Sequence, residues 1–157
     1  MLKRTLLTIA TSGFGLGFIS TLMIHLPAHA DTCTALPVLG GQGFEVRKRI
    51  DGRPGGILVG NNWNTDFVVP TGIRFNYYAV TITPENDARY DVSVHFKYPN
   101  STSDTVFQNG DVQLARWNAW RMNLQSPTGR QPYQVNLRIG GANGNVYRAR
   151  VSACRMN

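Results

Sequence analysis

Short runs of alternating apolar and polar residues, separated by turn-forming residues, fill most of the chain after residue 31. The clearest run extends from Tyr90 to Tyr98 and places Val92, Val94 and Phe96 on one side of the backbone. A period of two is typical of a strand that buries one face and exposes the other. We therefore expect Val92, Val94, Phe96 and Tyr98 to lie in the core of a β protein.

The other runs share this character and are bounded by Gly, Pro, Asn, Asp or Ser. They cover residues 44–50, 57–59, 63–69, 74–83, 105–107, 112–124, 133–139 and 146–153. Seven to nine short strands without a convincing helix predict an all-β fold, an antiparallel β-sandwich of the immunoglobulin-like or jelly-roll kind. A small β-barrel would give nearly the same pattern. The Gly- and Asn-rich stretch 140–145 also predicts a hairpin between the last two strands.

The start of the chain has the composition of a signal peptide. Lys3 and Arg4 give it a positive beginning, no charged residue occurs in 6–26, and Ala28 and Ala30 occupy the small-residue positions of a cleavage site. We expect a signal-peptide helix in residues 1–30, cleavage after Ala30, and export to the periplasm or the medium. The alternative is a retained anchor, because about 20 apolar residues suffice to span a bilayer. Only that uncleaved segment would then contact a membrane.

The remaining residues, 31–157, have the length of one domain and contain the only two cysteines, Cys33 and Cys154. An even cysteine count in an exported chain indicates a disulfide. A bond between these two would require the first and last segments of the domain to be neighbours. The rival interpretation, two reactive thiols, lacks a C-x-x-C or Cys/His context.

Arginine dominates the positive charge of this basic chain. The net charge is +7, and 12 of the 14 basic residues after residue 30 are Arg. Arg favours planar anions such as carboxylate, phosphate and sulfate. Arg47 with Arg49, and Arg148 with Arg150, share strand faces, and Arg138 points outward from the penultimate strand. If these strands join one sheet, a basic stripe results; the alternative is ordinary charged, solvated strand positions.

The stretch from Arg116 to Arg121 combines two arginines with Trp117 and Trp120. On a strand the two tryptophans point to opposite faces, so that one is core and the other is exposed. An exposed Trp beside Arg and Asn is suited to stacking on a sugar ring. On a helical turn both would share one face and lie in the core. The candidate ligand-binding residues are Arg116, Trp117, Trp120, Arg121, Arg138, Arg148 and Arg150.

No catalytic constellation is visible in the sequence. His95 is the only histidine after residue 30 and lies mid-strand, and there is no nucleophile elbow, zinc motif or phosphate-binding loop. A carboxylate pair would have to come from residues that mostly occupy turns or strand ends. These residues are Glu45, Asp66, Glu85, Asp87, Asp91, Asp104 and Asp111. We expect no enzyme activity, no cofactor and no metal.

Three classes of function remain, in decreasing order of support. The first is an exported, non-enzymatic binding module for acidic polysaccharide or another cell-envelope component, based on the arginine-rich faces and the Arg/Trp stretch. The second is a structural or assembly subunit of an extracellular structure that self-associates through an edge strand. The third is an enzyme of unknown type. Nucleic acid is not expected as a partner, since no recognised module is present, and the oligomeric state is not predicted.

Overall fold

A computed structural model of the chain describes residues 30–51 and 63–156. These residues form nine strands that cover most of the predicted runs. Their bounds are β1 Thr32–Ala35, β2 Glu45–Arg49, β3 Asn64–Val68, β4 Tyr77–Pro84, β5 Ala88–Lys97, β6 Ser103–Leu114, β7 Trp120–Leu124, β8 Gln134–Gly141 and β9 Val146–Arg155. The predicted run 57–59 lies outside the described residues, as does nearly all of the predicted signal peptide.

The strands form two antiparallel sheets. Sheet A has the order β1-β9-β4-β7, with β2 also paired to β9, and sheet B has the order β3-β8-β5-β6. Strands β1 and β2 lie end to end along the same edge of β9. From β2 onward, every connection except β5–β6 passes from one sheet to the other. The predicted β-sandwich is confirmed, and this strand order is that of a jelly-roll, since the last two strands of an immunoglobulin-like fold share a sheet.

The core lies between the two sheets and is built from the inward faces of the long strands. Val92, Val94 and Phe96 are fully buried and Tyr98 is 2% exposed, as the alternation predicts. Aromatic rings contact one another across the core, for example Tyr78 and Phe96, whose centroids are 4.9 Å apart in an edge-on arrangement. Such pairs add stabilisation beyond the apolar area that they bury.

The predicted hairpin between the last two strands is wrong, because β8 belongs to sheet B and β9 to sheet A. The glycines at the end of β8 and in the following turn instead allow the chain to cross from one sheet to the other. Gly141 has a φ of 145°, and a Cβ there would lie 2.8 Å from the carbonyl oxygen of Arg89. Only glycine fits this conformation and this close approach. A Gly-rich stretch therefore marks a tight connection without specifying which strands it joins.

Strand β6 is longer than predicted, because it includes a stretch whose composition is typical of a turn. Tyr90 pairs with Val112 and Val92 pairs with Asn109, so β6 contains one extra residue at this point. This is a bulge, which bends an edge strand without ending it. Residues Thr32–Ala35 also form a strand, which the alternation of apolar and polar residues did not predict.

The predicted disulfide is confirmed between Cys33 and Cys154, which are 121 residues apart in sequence. The two residues are direct cross-strand partners in the β1–β9 pairing, and their Cα atoms are 4.0 Å apart. The first and last described strands are therefore neighbours, as a bond between these cysteines requires. Among the described residues, no helix is long and apolar enough to cross a membrane.

We expect loss of the disulfide to destabilise the fold strongly. Closing so long a loop restricts the unfolded chain, and removing such a bond typically costs about 2–5 kcal/mol. The variant Cys33→Ala/Cys154→Ala should therefore unfold at a clearly lower urea concentration than the oxidised protein. Treatment with a reductant should lower the urea midpoint of the native protein but not that of the variant. Equal midpoints for the native protein and the variant would contradict this prediction.

Candidate functional site

The outward face of sheet A brings together two arginines that are distant in sequence. Arg150 on β9 and Arg121 on β7 both pair with Thr81 on the strand between them. Directly opposite residues in antiparallel strands share a face, so these three side chains lie in one row across the sheet. The row continues to Glu45 on β2, which is the other cross-strand partner of Arg150. Both arginines are exposed, and within the described part of the chain neither guanidinium forms a hydrogen bond or an ion pair.

The adjacent row contains two more arginines, but carboxylates neutralise them. Arg47 pairs directly with Arg148. Glu85 accepts hydrogen bonds from Arg47 Nε and Nη2 at 2.8 and 2.6 Å and from Arg148 Nε at 3.0 Å. Glu45 accepts a further bond from Arg148 at 3.2 Å. The face is therefore not a uniform basic stripe, and its unpaired positive charge belongs to Arg121 and Arg150.

The sequence did not identify Glu85 as the partner of these arginines. Its side chain is only 12% exposed. The hydrogen bonds from Arg47 lower the pKa of its carboxyl, partial burial opposes this, and Arg148 adds to the lowering. The carboxylate thus stays ionised and holds two neighbouring cations in place. Glu85 is 38 residues from Arg47 and 63 from Arg148, and no local sequence signal marks such pairings.

Arg138 does not belong to this surface, which corrects the expectation of one stripe. It lies on β8 in sheet B, where it pairs with Asn64 and Ser93. Its guanidinium carbon lies 5.2 Å from the centroid of the Trp63 ring, and Nη1 lies 4.0 Å from Asp91. The crossing connection between β8 and β9 is the reason, because it separates Arg138 from Arg148 and Arg150.

The structure separates the two tryptophans of the Arg/Trp stretch. Trp120 begins β7, pairs with Ile82, and packs its ring edge-on against Phe107 at 5.5 Å as part of the core boundary. Trp117 lies in the loop before β7 and is 54% exposed. Of the two, only Trp117 presents its ring to solvent.

The loop holds Trp117 in a conformation that bulky residues rarely adopt, with a φ of 60°. Its backbone N–H donates to the Pro84 carbonyl at 2.8 Å, and the N–H of Arg116 donates to Asp87 at 2.7 Å. The Arg116 guanidinium carbon lies 5.7 Å from the Trp117 ring centroid. These contacts fix an exposed aromatic ring beside the end of β4, where sheet A ends.

His95 is bound by hydroxyl groups rather than by a carboxylate. Nε2 lies 3.2 Å from Ser93 Oγ and Nδ1 lies 3.0 Å from Thr105 Oγ1. Burial, with help from Arg138 and Lys97, lowers the pKa of the imidazole. Ser93 is only 3% exposed, so its hydroxyl is closed to a substrate. This pair lacks both the acid and the access that a catalytic triad requires.

The carboxylates considered for acid–base chemistry have structural partners. In the described residues Asp66, Asp91 and Asp111 are each paired with a basic side chain on the same sheet, as are Glu45 and Glu85. Over residues 30–51 and 63–156, no group of three or more His, Cys, Asp or Glu side chains is arranged to hold a metal ion.

No protein-family model matches this sequence, and comparison with curated proteins finds no match either. Among solved structures, the chain is similar to a family 29 carbohydrate-binding module, with a TM-score of 0.48 and 10% identity over 80% of this chain and 89% of that one. It is also similar to CBM22-1, the xylan-binding domain of Xyn10C from Paenibacillus barcinonensis, with a TM-score of 0.39 and 11% identity over 82% and 86%.

A mutant of CBM29-2 gives a TM-score of 0.41 at 9% identity. The match covers 57% of this chain and 61% of that one, so this chain spans less than two thirds of its length. Identities this low describe a likeness of fold alone. The function of this chain is therefore inferred from its own residues.

We expect Trp117→Gly to be more stable than Trp117→Ala. Both variants remove the exposed ring, but alanine retains the left-handed backbone, which costs an L-residue about 1–2 kcal/mol. Glycine adopts it freely and loses about 0.5–1 kcal/mol of this advantage through unfolded-state entropy. Urea unfolding should show a net difference of up to about 1.5 kcal/mol. An alanine variant at least as stable as the glycine variant would show that the backbone is not strained.

We expect Glu85 to make folding stability depend on pH. Because its pKa is lower in the folded protein than the ordinary value of 4.5, its contribution is present above that value and is lost as the pH falls through the folded pKa. Glu85→Gln should be less stable than the native protein at pH 7, and the gap should narrow towards pH 3. The control is Asp51→Asn, a carboxylate 70% exposed in its ion pair with Arg49, for which the loss should be smaller. A gap independent of pH would contradict the prediction.

Proposed function

We propose that this protein is an exported, non-enzymatic module that binds acidic glycans on the outward face of sheet A. The observation that carries the proposal is the pair of exposed, unpaired guanidinium groups of Arg121 and Arg150 on either side of Thr81. Their neighbours Arg47 and Arg148 already share carboxylates, so the proposed ligand supplies the missing anions.

The spacing of the two arginines suits an extended ligand better than a small ion. They lie two strand spacings apart, which is about 10 Å between Cα atoms. Each guanidinium offers a bidentate donor pair to a carboxylate or a sulfate group. Thr81, which is 6% exposed, forms the floor between them. A chain with repeated acidic groups can contact both arginines at once and give each guanidinium its own carboxylate or sulfate.

Trp117 gives this proposal an aromatic element. Its exposed ring lies beside the end of sheet A, in the loop that leads directly into β7 and Arg121. Aromatic rings stack on the apolar faces of sugars and keep their polar neighbours free for hydroxyl groups. The loop's hydrogen bonds already hold the backbone at Trp117, so binding would need to order only the side chain.

The edge strands of the described residues favour this function over self-assembly. Strand β6 forms one edge of sheet B, and a bulge interrupts its pairing opposite Tyr90 and Val92. Strand β7, at one edge of sheet A, has only five residues. Bulges and short strands both hinder the addition of a strand from a second copy. The disulfide and the signal-peptide composition support a location outside the cytoplasm.

The test compares the binding of an acidic polysaccharide, such as polygalacturonate, with that of neutral dextran by isothermal titration calorimetry. We expect binding to the acidic polymer alone, weakened by salt because the contacts are exposed. Arg121→Gln/Arg150→Gln should weaken it about tenfold to a hundredfold, since two charge-assisted contacts of about 1 kcal/mol or more each are lost.

The matched control is Arg89→Gln/Arg155→Gln, which removes the same net charge from exposed positions away from this face. Its affinity should stay within about twofold of that of the native protein. A change of this size is what a lower net charge would cause by weakening the electrostatic attraction of the ligand. Equal losses in the two variants would show that only net charge matters. Equal binding of dextran and polygalacturonate would overturn the acidic specificity.

A further inference from the structure

A cleft opens at the end of the sandwich opposite Trp117. It lies between the loop that precedes β4 and the loop that precedes β8, beside Met156 after β9. A shallow outer part of about 660 Å³ and an inner part of about 300 Å³ share Arg74, Gly129, Arg130 and Gln131. We call this region the end cleft. It is about 23 Å from the Trp117 loop, which is the length of β4.

Tyr78 lines the inner part and carries a hydroxyl group that the described protein leaves without a partner. The side chain is 2% exposed. Its hydroxyl group is buried and neither donates nor accepts a hydrogen bond among the described residues. Buried polar groups are nearly always satisfied, and leaving one unpaired costs the full desolvation of that group. A bound molecule that supplies the missing partner would remove this cost.

Two cations lie in the same cleft, and no carboxylate is among the described residues that line it. Arg74 donates from Nη2 to the Gly129 carbonyl at 3.4 Å, and Arg130 stacks on Tyr98 with its guanidinium carbon 4.2 Å from the ring centroid. Among the described residues, neither arginine forms an ion pair. Each guanidinium has five N–H donors, so both retain free donors for an anionic ligand.

A chain of hydrogen bonds fixes Arg130 and the floor of the end cleft. It runs from Arg130 through Thr128, Ser126 and Tyr98 to Asp104, with distances of 3.3, 3.2, 2.9 and 2.8 Å. Because Arg only donates and a carboxylate only accepts, each hydroxyl must donate towards Asp104. Asp104 does not line the cleft.

The remaining lining residues include both donors and acceptors. Gln125 and Asn76 carry amide groups, and the Asn76 Oδ1 already accepts the N–H of Met156 at 2.9 Å. Phe75 and Met156 add apolar surface. Mixed donors and acceptors beside an apolar wall suit a ligand with hydroxyl groups and an apolar face, whereas inorganic phosphate mainly accepts hydrogen bonds and has no apolar face.

We propose that the end cleft is a second binding site, which takes a single hydroxylated carboxylic acid such as a uronic acid, with Tyr78 hydrogen-bonded to the ligand and Arg74 and Arg130 facing its carboxylate. The site is independent of the sheet A face, because Arg121 and Arg150 lie on the outside of the sandwich, where both pair with Thr81 in the middle of β4. It would accommodate one sugar rather than follow a polymer.

The experiment titrates the full domain with glucuronate and follows backbone and side-chain amides by NMR. We expect saturable shifts at Gly129, Gln131 and the Gln125 side chain, with weaker responses to glucose and inorganic phosphate. Tyr78→Phe should weaken glucuronate binding about three- to tenfold, the effect of one lost hydrogen bond. Tyr147→Phe, which changes a tyrosine that is 2% exposed in the core away from the cleft, should leave the affinity unchanged.

Stability without ligand provides the second measurement. Tyr78→Phe should unfold at the same urea concentration as the native protein or at a higher one, because it removes an unpaired buried hydroxyl. A destabilised variant would show that the hydroxyl already has a partner, such as a bound water, and would overturn the proposal. So would equal shifts with phosphate, or an unchanged glucuronate affinity in Tyr78→Phe. Glucuronate shifts that persist in Arg121→Gln/Arg150→Gln separate this site from the proposed glycan face.

Discussion

Strand β9 buries one side against the opposing sheet while it hydrogen-bonds to three other strands. Tyr147, Ala149, Val151 and Ala153 point into the core, and β1, β2 and β4 pair with its two edges. Because side chains alternate, burial of these four residues requires Arg148 and Arg150 to face outward. The same constraint therefore fixes the core, the register of sheet A and the position of the arginines on its surface.

Patterns within a strand predicted the structure better than relations between strands did. The alternation around Val94 identified buried residues correctly, because period two is a local property of the backbone. It could not specify the partner of each strand, since any strand with an apolar face can pair with several others. The hairpin error and the misplacement of Arg138 share this cause. The disulfide was predictable because Cys33 and Cys154 left no other pairing.

The distribution of charge on sheet A follows from contacts that no sequence window contains. Arg47 and Arg148 carry the same charge as Arg121, yet Glu85 and Glu45 together neutralise both of them. Only the folded register distinguishes arginines that stabilise the sheet from those left open to a ligand. Likewise, Tyr78 belongs to an ordinary strand pattern, and only three-dimensional packing shows that its hydroxyl has no hydrogen-bond partner in residues 30–51 and 63–156.

The bond between Cys33 and Cys154 also has a mechanical consequence. Because it joins direct partners on adjacent strands, a pulling force applied on the far sides of the two cysteines passes through one covalent bond. The strands between them carry none of that load, so tension cannot unravel the sandwich or separate its two sheets. A domain closed in this way keeps its two sheets together under tension until a reductant opens the bond.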